Sequence, residues 1–314
     1  MAEMVNKATR ESFGEAISQL ADTNKDIVVL DADLAEATKT IMFKKNHEDR
    51  FIDCGIAECN MIGIAAGLST CGKIPFAASF AMFAAGRAFE QVRNSVGYPH
   101  LNVKIVGSHA GISVGEDGAT HQCCEDIALM RTIPGMVVLN PCDHYEMHAA
   151  IRAAAEYYGP VYIRLGRLPV DSVNNNDDYQ FEIGKGITLK DGKEITIIAT
   201  GLMVQEALVA AVSLEKQGIS ARVINIHTIK PLDQELVIQA AKETGRILTV
   251  EEHNIIGGLG EAVASCLAEN YPVPMGRIGV EDTFGHSGPA KDLLKQFGLS
   301  AEKIEEKVKA MLAK

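Results

Sequence analysis

Short apolar runs and helix-spaced apolar positions alternate along almost the whole chain. Ile27-Val-Val-Leu-Asp31 is an unbroken apolar run of strand length. Phe51-Ile-Asp53, Ile74-Pro-Phe-Ala77, Val103-Lys-Ile-Val106, Met136-Val-Val-Leu139 and Val161-Tyr-Ile163 are further strand candidates. Between them, Ala8, Ser12, Ala16 and Leu20 recur at a spacing of four. Met61, Ala65 and Leu68 fall at four and three, as do Phe89, Val92 and Val96. Strands without polar alternation, separated by helices, predict a mostly parallel sheet covered on both faces.

The polar run Asp171-Ser-Val-Asn-Asn-Asn-Asp-Asp178 follows Pro169 and lacks apolar periodicity, so it reads as a linker. The alternation then restarts. Ile195–Ala199, Ala221–Asn225 and Arg246–Val250 predict strands, and 202–216 a helix ending before Gly218. The expected organisation is α/β: two consecutive doubly wound domains, 1–170 and 191–314, with a linker over 171–190.

Composition narrows the function. The chain has 314 residues, 47% hydrophobic and 23% charged, with net charge −11. That balance suits a globular protein with large cores. With no Lys/Arg run, it argues against nucleic acid or an anionic membrane as partner. No apolar stretch approaches the roughly 20 residues of a membrane span, and the first ten residues lack the core of a signal peptide. Seven scattered cysteines include no C-x-x-C pair. They fit a reduced, cytoplasmic protein and give no zinc-chelating spacing.

The densest polar cluster is Ser108-His-Ala-Gly-Ile-Ser-Val-Gly-Glu-Asp-Gly-Ala-Thr-His-Gln122, directly after a strand. Open α/β sheets bind ligands beyond the carboxyl ends of their strands. His109, His121, Glu116 and Asp117 supply polar groups there, and three glycines allow close backbone approach. The plain alternative is a surface loop. Glu58, in Asp53-Cys-Gly-Ile-Ala-Glu-Cys-Asn-Met61, opens an apolar helix, and the macrodipole and capping explain an acid there. Phe80 and Phe83, in Ser79-Phe-Ala-Met-Phe-Ala-Ala-Gly86, are expected on one helix face, as core or as a wall for a planar ring. Arg10, Arg164 and Arg167 could pair with phosphate. Gly257-Gly-Leu-Gly260 reads as a tight strand-to-helix turn, because G-x-G-x-x-G is missing.

Taken together these motifs resemble transketolase. Val114-Gly-Glu-Asp-Gly-Ala-Thr-His-Gln122 resembles the family signature, and Gly55-Ile-Ala-Glu-Cys-Asn-Met61 its cofactor-activating glutamate segment. Ser79-Phe-Ala-Met-Phe83 is similar to its thiamine-ring pocket, and Thr228-Ile-Lys-Pro-Leu-Asp233 to a helix start in its C-terminal domain. The matches run in family order from Ala8-Thr-Arg10 onward. The family's Gly-Asp-Gly metal motif is absent. The resemblance therefore implies a separate N-terminal transketolase subunit holding magnesium and the cofactor diphosphate. Two copies of each chain would form the complex, and this chain alone could self-associate as a dimer.

The resemblance also implies roles. Glu58 would meet the aminopyrimidine ring nitrogen of thiamine diphosphate, with Phe80 and Phe83 lining the ring pocket. His109 and His121 would bond oxygens of the donor and relay protons, and Asp117 would orient a hydroxyl. Arg10 and Arg167 would hold the sugar phosphate, with Asp33 on the substrate or cofactor edge. A phosphate-gripping serine of the family is Ala37 here, and an aromatic of the pocket helix is Gly86. Three readings are the rivals: two related enzymes, and a regulatory or scaffold protein on a degenerate transketolase half, against which Glu58, His109, Asp117 and His121 together argue. 1-Deoxyxylulose-5-phosphate synthase typically has arginine at the position of His109. The beta subunit of 2-oxo acid dehydrogenases lacks the Gly-Glu-Asp-Gly-x-Thr-His string.

Overall fold

The computed structural model describes residues 4–174 and 179–313. Among them are fourteen strands. In chain order these are β1 (Asn6–Ala8), β2 (Ile27–Asp31), β3 (Phe51–Asp53), β4 (Ile74–Phe80), β5 (Lys104–Ser108), β6 (Val137–Leu139) and β7 (Val161–Arg164). Then come β8 (Pro169–Asp171), β9 (Ile187–Lys190), β10 (Ile195–Ala199), β11 (Ala221–Asn225), β12 (Thr228–Lys230), β13 (Ile247–Asn254) and β14 (Met275–Val280).

A seven-stranded sheet runs β12-β6-β7-β5-β4-β2-β3, parallel except for β12. A five-stranded sheet runs β14-β13-β10-β11-β9, parallel except for β9. Both are covered by helices on two faces, the α/β class read from the apolar runs. The β2 run is buried at every position, as a strand covered on both sides must be. On one face of the large sheet, Phe13 and Ile17 of the helix Thr9–Thr23 are fully buried against Val29, Phe76 and Val106. Each such side chain contributes about 1.5–3 kcal/mol on burial.

Four local expectations change. Strand β4 continues past Ala77 to Phe80, because Ala78, Ser79 and Phe80 pair with Val106, Gly107 and Ser108. Phe80 therefore ends a strand, and only Phe83 lies in a helical turn. The helix expected around Phe89, Val92 and Val96 is a short α turn, Phe89–Gln91, between two wide π turns, Met82–Arg87 and Val92–Gly97. π turns recur at functional sites. The helix expected near Thr228 begins later, at Gln234, capped by Asp233, whose carboxylate accepts from the Leu236 N–H.

The segment just before that helix, β12, leaves the second half and pairs with β6 at the edge of the first sheet. The described start of the expected linker is held by pairing and hydrogen bonds. Pro169–Asp171 pairs with Asn6–Ala8, and the Val173 and Asn174 N–H groups donate to Asp143. Asn175 to Asp178 lie outside the described residues. Ile112, Cys124 and Cys142 of the first half sit in the core of the second.

Candidate active site

The polar side chains singled out in the sequence follow the carboxyl ends of neighbouring parallel strands. Asp33 follows β2, Glu58 follows β3, Phe80 ends β4, His109 follows β5 and Arg167 follows β7. Arg10 reaches the same edge from the first turn of the helix Thr9–Thr23.

His109 is at the centre. It is 3% exposed and has φ +55°, a left-handed conformation uncommon outside glycine. Such strain persists where surrounding contacts fix it, and the contacts here are specific. The ring stacks on Phe80 with centroids 4.0 Å apart. Its Nδ1 meets Ser108 Oγ at 2.8 Å, and its Nε2 lies 3.3 Å from Arg10 Nη1. Burial first, then the positive charges of Arg10 and Arg167, push its pKa down to about 3. The imidazole is thus neutral at physiological pH, able to accept as well as donate. Arg10 Nη1 also donates to the Ala37 carbonyl, while its buried Nε has no partner among the described residues.

Phe80 and Phe83 lie nearly parallel, with centroids 5.9 Å apart and planes 8° from each other. The His121 ring stands edge-on to both, at 6.0 and 5.3 Å. Glu58 opens the helix Glu58–Thr70 and is 2% exposed. Its Oε2 accepts from Arg87 Nη1 at 2.8 Å, and the same guanidinium lies over Phe83 at 4.4 Å. Arg87 therefore ties the acid to the aromatic pair. The sequence reading missed it, although its spacing of four from Phe83 was a usable signal. Ser79 likewise has a buried Oγ with no hydrogen-bond partner among the described residues.

Arg167 forms a partly exposed group with the loop, donating to the Val114 carbonyl and lying 3.5 Å from Glu116 and 3.7 Å from Asp117. Asp33 stands apart from this network. It is exposed, has φ +61°, and donates its N–H to Asp53. Arg164 is no site cation. Fully buried, it pairs with Asp126 at 2.8 Å and donates to the Glu252 carbonyl.

The signature loop is held from the second half of the chain. The Glu252 carboxylate accepts the Ser113 N–H at 2.6 Å and fills the space beside Gly111, where a Cβ would lie 2.3 Å from Oε1. Gln122 donates to the carbonyls of Ile112, Gly115 and His286. At the Gly257–Gly260 turn, the Glu251 carboxylate accepts the N–H groups of Leu259 and Gly260. A side chain thus fills the helix N-terminus that a dinucleotide phosphate would need.

A mostly parallel sheet with a buried acid, a parallel aromatic pair and two histidines at its carboxyl edge, joined to a second α/β unit, puts the chain in the two-domain α/β class. Comparisons with known proteins make this particular. The model of the transketolase pyrimidine-binding domain matches residues 6–171, and that of the transketolase C-terminal domain matches 184–304. A putative transketolase C-terminal section of Methanocaldococcus jannaschii is 52% identical, over 97% of this chain and 96% of that one. The 6-deoxy-6-sulfo-D-fructose transketolase subunit SqwH of Clostridium sp. (strain MSTE9) is 47% identical, over 94% and 91%. A solved structure described as a split gene transketolase, inactive beta4 tetramer, superposes with TM-score 0.92 at 51% identity, covering 98% and 99%. The chain belongs to the transketolase family. Among its described residues no helix is long and apolar enough to cross a membrane.

Proposed function

We propose that this chain is one subunit of a two-subunit, thiamine-diphosphate-dependent transketolase. It transfers a two-carbon ketol unit from a ketose phosphate to an aldose phosphate. The observation that carries this reading is the buried Glu58 carboxylate, joined through Arg87 to the parallel rings of Phe80 and Phe83. An acid beside an apolar aromatic pair suits a planar ring with a basic nitrogen.

In this reading Glu58 holds a proton at the ring nitrogen of the cofactor, and Phe80 and Phe83 fix the ring plane. The bound cofactor supplies the electron sink for breaking and re-forming the carbon–carbon bond. His109, neutral and stacked on Phe80, hydrogen-bonds a substrate oxygen. With His121 it relays protons as the bond is exchanged. Asp117 orients a substrate hydroxyl, Arg10 and Arg167 grip the anionic end, and Asp33 lies at the outer edge. Magnesium and the diphosphate belong to the N-terminal partner subunit, and two copies of each chain complete the enzyme. The name of the 47% identical relative, which specifies a sulfonated ketose, makes a donor with another anionic tail worth assaying alongside ketose phosphates. The name of the superposed split structure, an inactive tetramer of one chain, supports activity that depends on the partner.

The test is reconstitution. This chain and the partner are purified separately and mixed with thiamine diphosphate, magnesium, ketose phosphate and aldose phosphate. Turnover is expected from the mixture and only background from this chain alone. Robust turnover by this chain alone would overturn the two-subunit reading, and a stable one-to-one complex in light scattering would contradict two copies of each chain.

A further inference from the structure

The helix His144–Glu156 packs against the helix Thr9–Thr23. Two of its histidines, four residues apart, lie on one helical face, with ring centroids 4.4 Å apart. Glu15 reaches them from the opposing helix, its Oε2 4.0 Å from His148 Nε2. One ligand atom from each of Glu15, His144 and His148 lies within 4.8 Å of the others, at half-buried positions. We propose that these three side chains form a binding site for a divalent transition-metal ion, with Zn2+ preferred.

The local chemistry supports ligation at both rings. Ser12 Oγ donates its one proton to the Ala8 carbonyl at 3.3 Å. The same Oγ lies 3.0 Å from His144 Nδ1, a contact that orients the ring. A hydrogen bond at the far ring nitrogen is the usual support of a metal-bound histidine. His148 Nε2 is buried and has no hydrogen-bond partner among the described residues. Two imidazoles and one carboxylate suit zinc and its neighbours rather than magnesium, and leave a further position for water. Metal–ligand bonds of about 2.0–2.2 Å would draw the three atoms together by roughly an ångström.

Two cations compete for the site, Lys7 and Arg152. Lys7 Nζ donates to both Glu15 oxygens at 2.9 Å. The two side chains are about one-third exposed, so this pair is weak and exchangeable. Arg152 lines the same cavity. The cysteine spacings argue against a zinc–thiolate site, but this set needs no thiol. In the sequence its signal is the pair of histidines four residues apart.

The full chain in metal-free buffer is titrated with Zn2+ against a chromophoric chelator, and separately with Co2+ followed by absorbance. One equivalent of zinc is expected, unaffected by millimolar magnesium. His144→Ala, His148→Ala and Glu15→Gln should each weaken zinc at least about ten-fold, and Lys7→Ala should tighten it. The metal-free thermal midpoint of each variant confirms folding, and Glu15→Gln keeps the test open if a histidine variant misfolds. Unchanged zinc affinity in all three ligand variants would overturn the proposal. So would a Co2+ spectrum dominated by thiolate charge transfer, or the absence of saturable binding.

Discussion

The guanidinium of Arg87 donates to the carboxylate of Glu58 at 2.8 Å while covering the face of Phe83. One cation therefore occupies both groups to which the proposed function assigns the cofactor ring. Glu58→Gln keeps the shape and removes the ionisable group. In the reconstituted enzyme it should lower turnover by at least about 10²-fold, the lower end for positioned acid–base groups. A near-normal rate with a lowered thermal midpoint would leave Glu58 only its helix-start role, worth about 0.3–1 kcal/mol.

Arg87→Met tests the same pair without any assay of activity. It leaves a carboxylate that is 2% exposed without its cation, whereas the double variant Glu58→Gln/Arg87→Met leaves a neutral amide. An uncompensated buried charge costs more than a buried amide. The single variant should therefore unfold at the lower temperature. Equal midpoints for the single and double variants would show that the Glu58 carboxylate bears no cost when its cation is removed.

Acid should act through His109. Its folded pKa of about 3 lies below the ordinary 6.5. Below pH 6.5 the unfolded chain takes up a proton that the folded chain refuses, so stability is lost as the pH falls from about 6.5 towards 3. His109→Gln cannot take part in this. The midpoint of the variant minus that of the parent should rise steadily between pH 7.5 and 4.5. A difference independent of pH would contradict the neutral, buried imidazole.

Gly111 has φ +84°, and the Glu252 carboxylate fills the space beside it. Gly111→Ala should cost about 1–3 kcal/mol from the backbone alone. Displacing Glu252 from the Ser113 N–H should add to that. Denaturant unfolding would measure the loss, and a change under about 0.5 kcal/mol would show that the loop adapts.

Asp126 accepts from both Arg164 and Tyr162 at 2.8 Å, with all three side chains buried. Asp126→Ala should destabilise by about 3–5 kcal/mol, because the Arg164 charge is left buried without its counterion. An unaltered denaturation midpoint would be incompatible with that burial.

The repeating strand positions were legible because strands buried on both faces must be apolar throughout, as Ile27–Asp31 is. The residues gathered at the site were legible as types at strand exits. Their mutual contacts were not, since stacking of His109 on Phe80 depends on sheet pairing between distant segments. Phe80 was assigned to a helix because its apolar neighbours at 76–78 carry no period that separates a strand from a buried helix. Glu252 gave no local signal, for its partner Ser113 lies 139 residues away. Thr228–Lys230 belongs by sequence to the second half, and only three-dimensional pairing assigns it to the first sheet.

That strand changes how the two halves relate. A sheet edge borrowed from the second half means that severing the chain between the halves would leave β6 with open backbone groups, ready to pair with another copy. The crossing is reinforced by β1 on β8 and by Ile112 in the opposite core. Loss of either half exposes the interior of the other, so the chain should melt as a single cooperative unit rather than domain by domain.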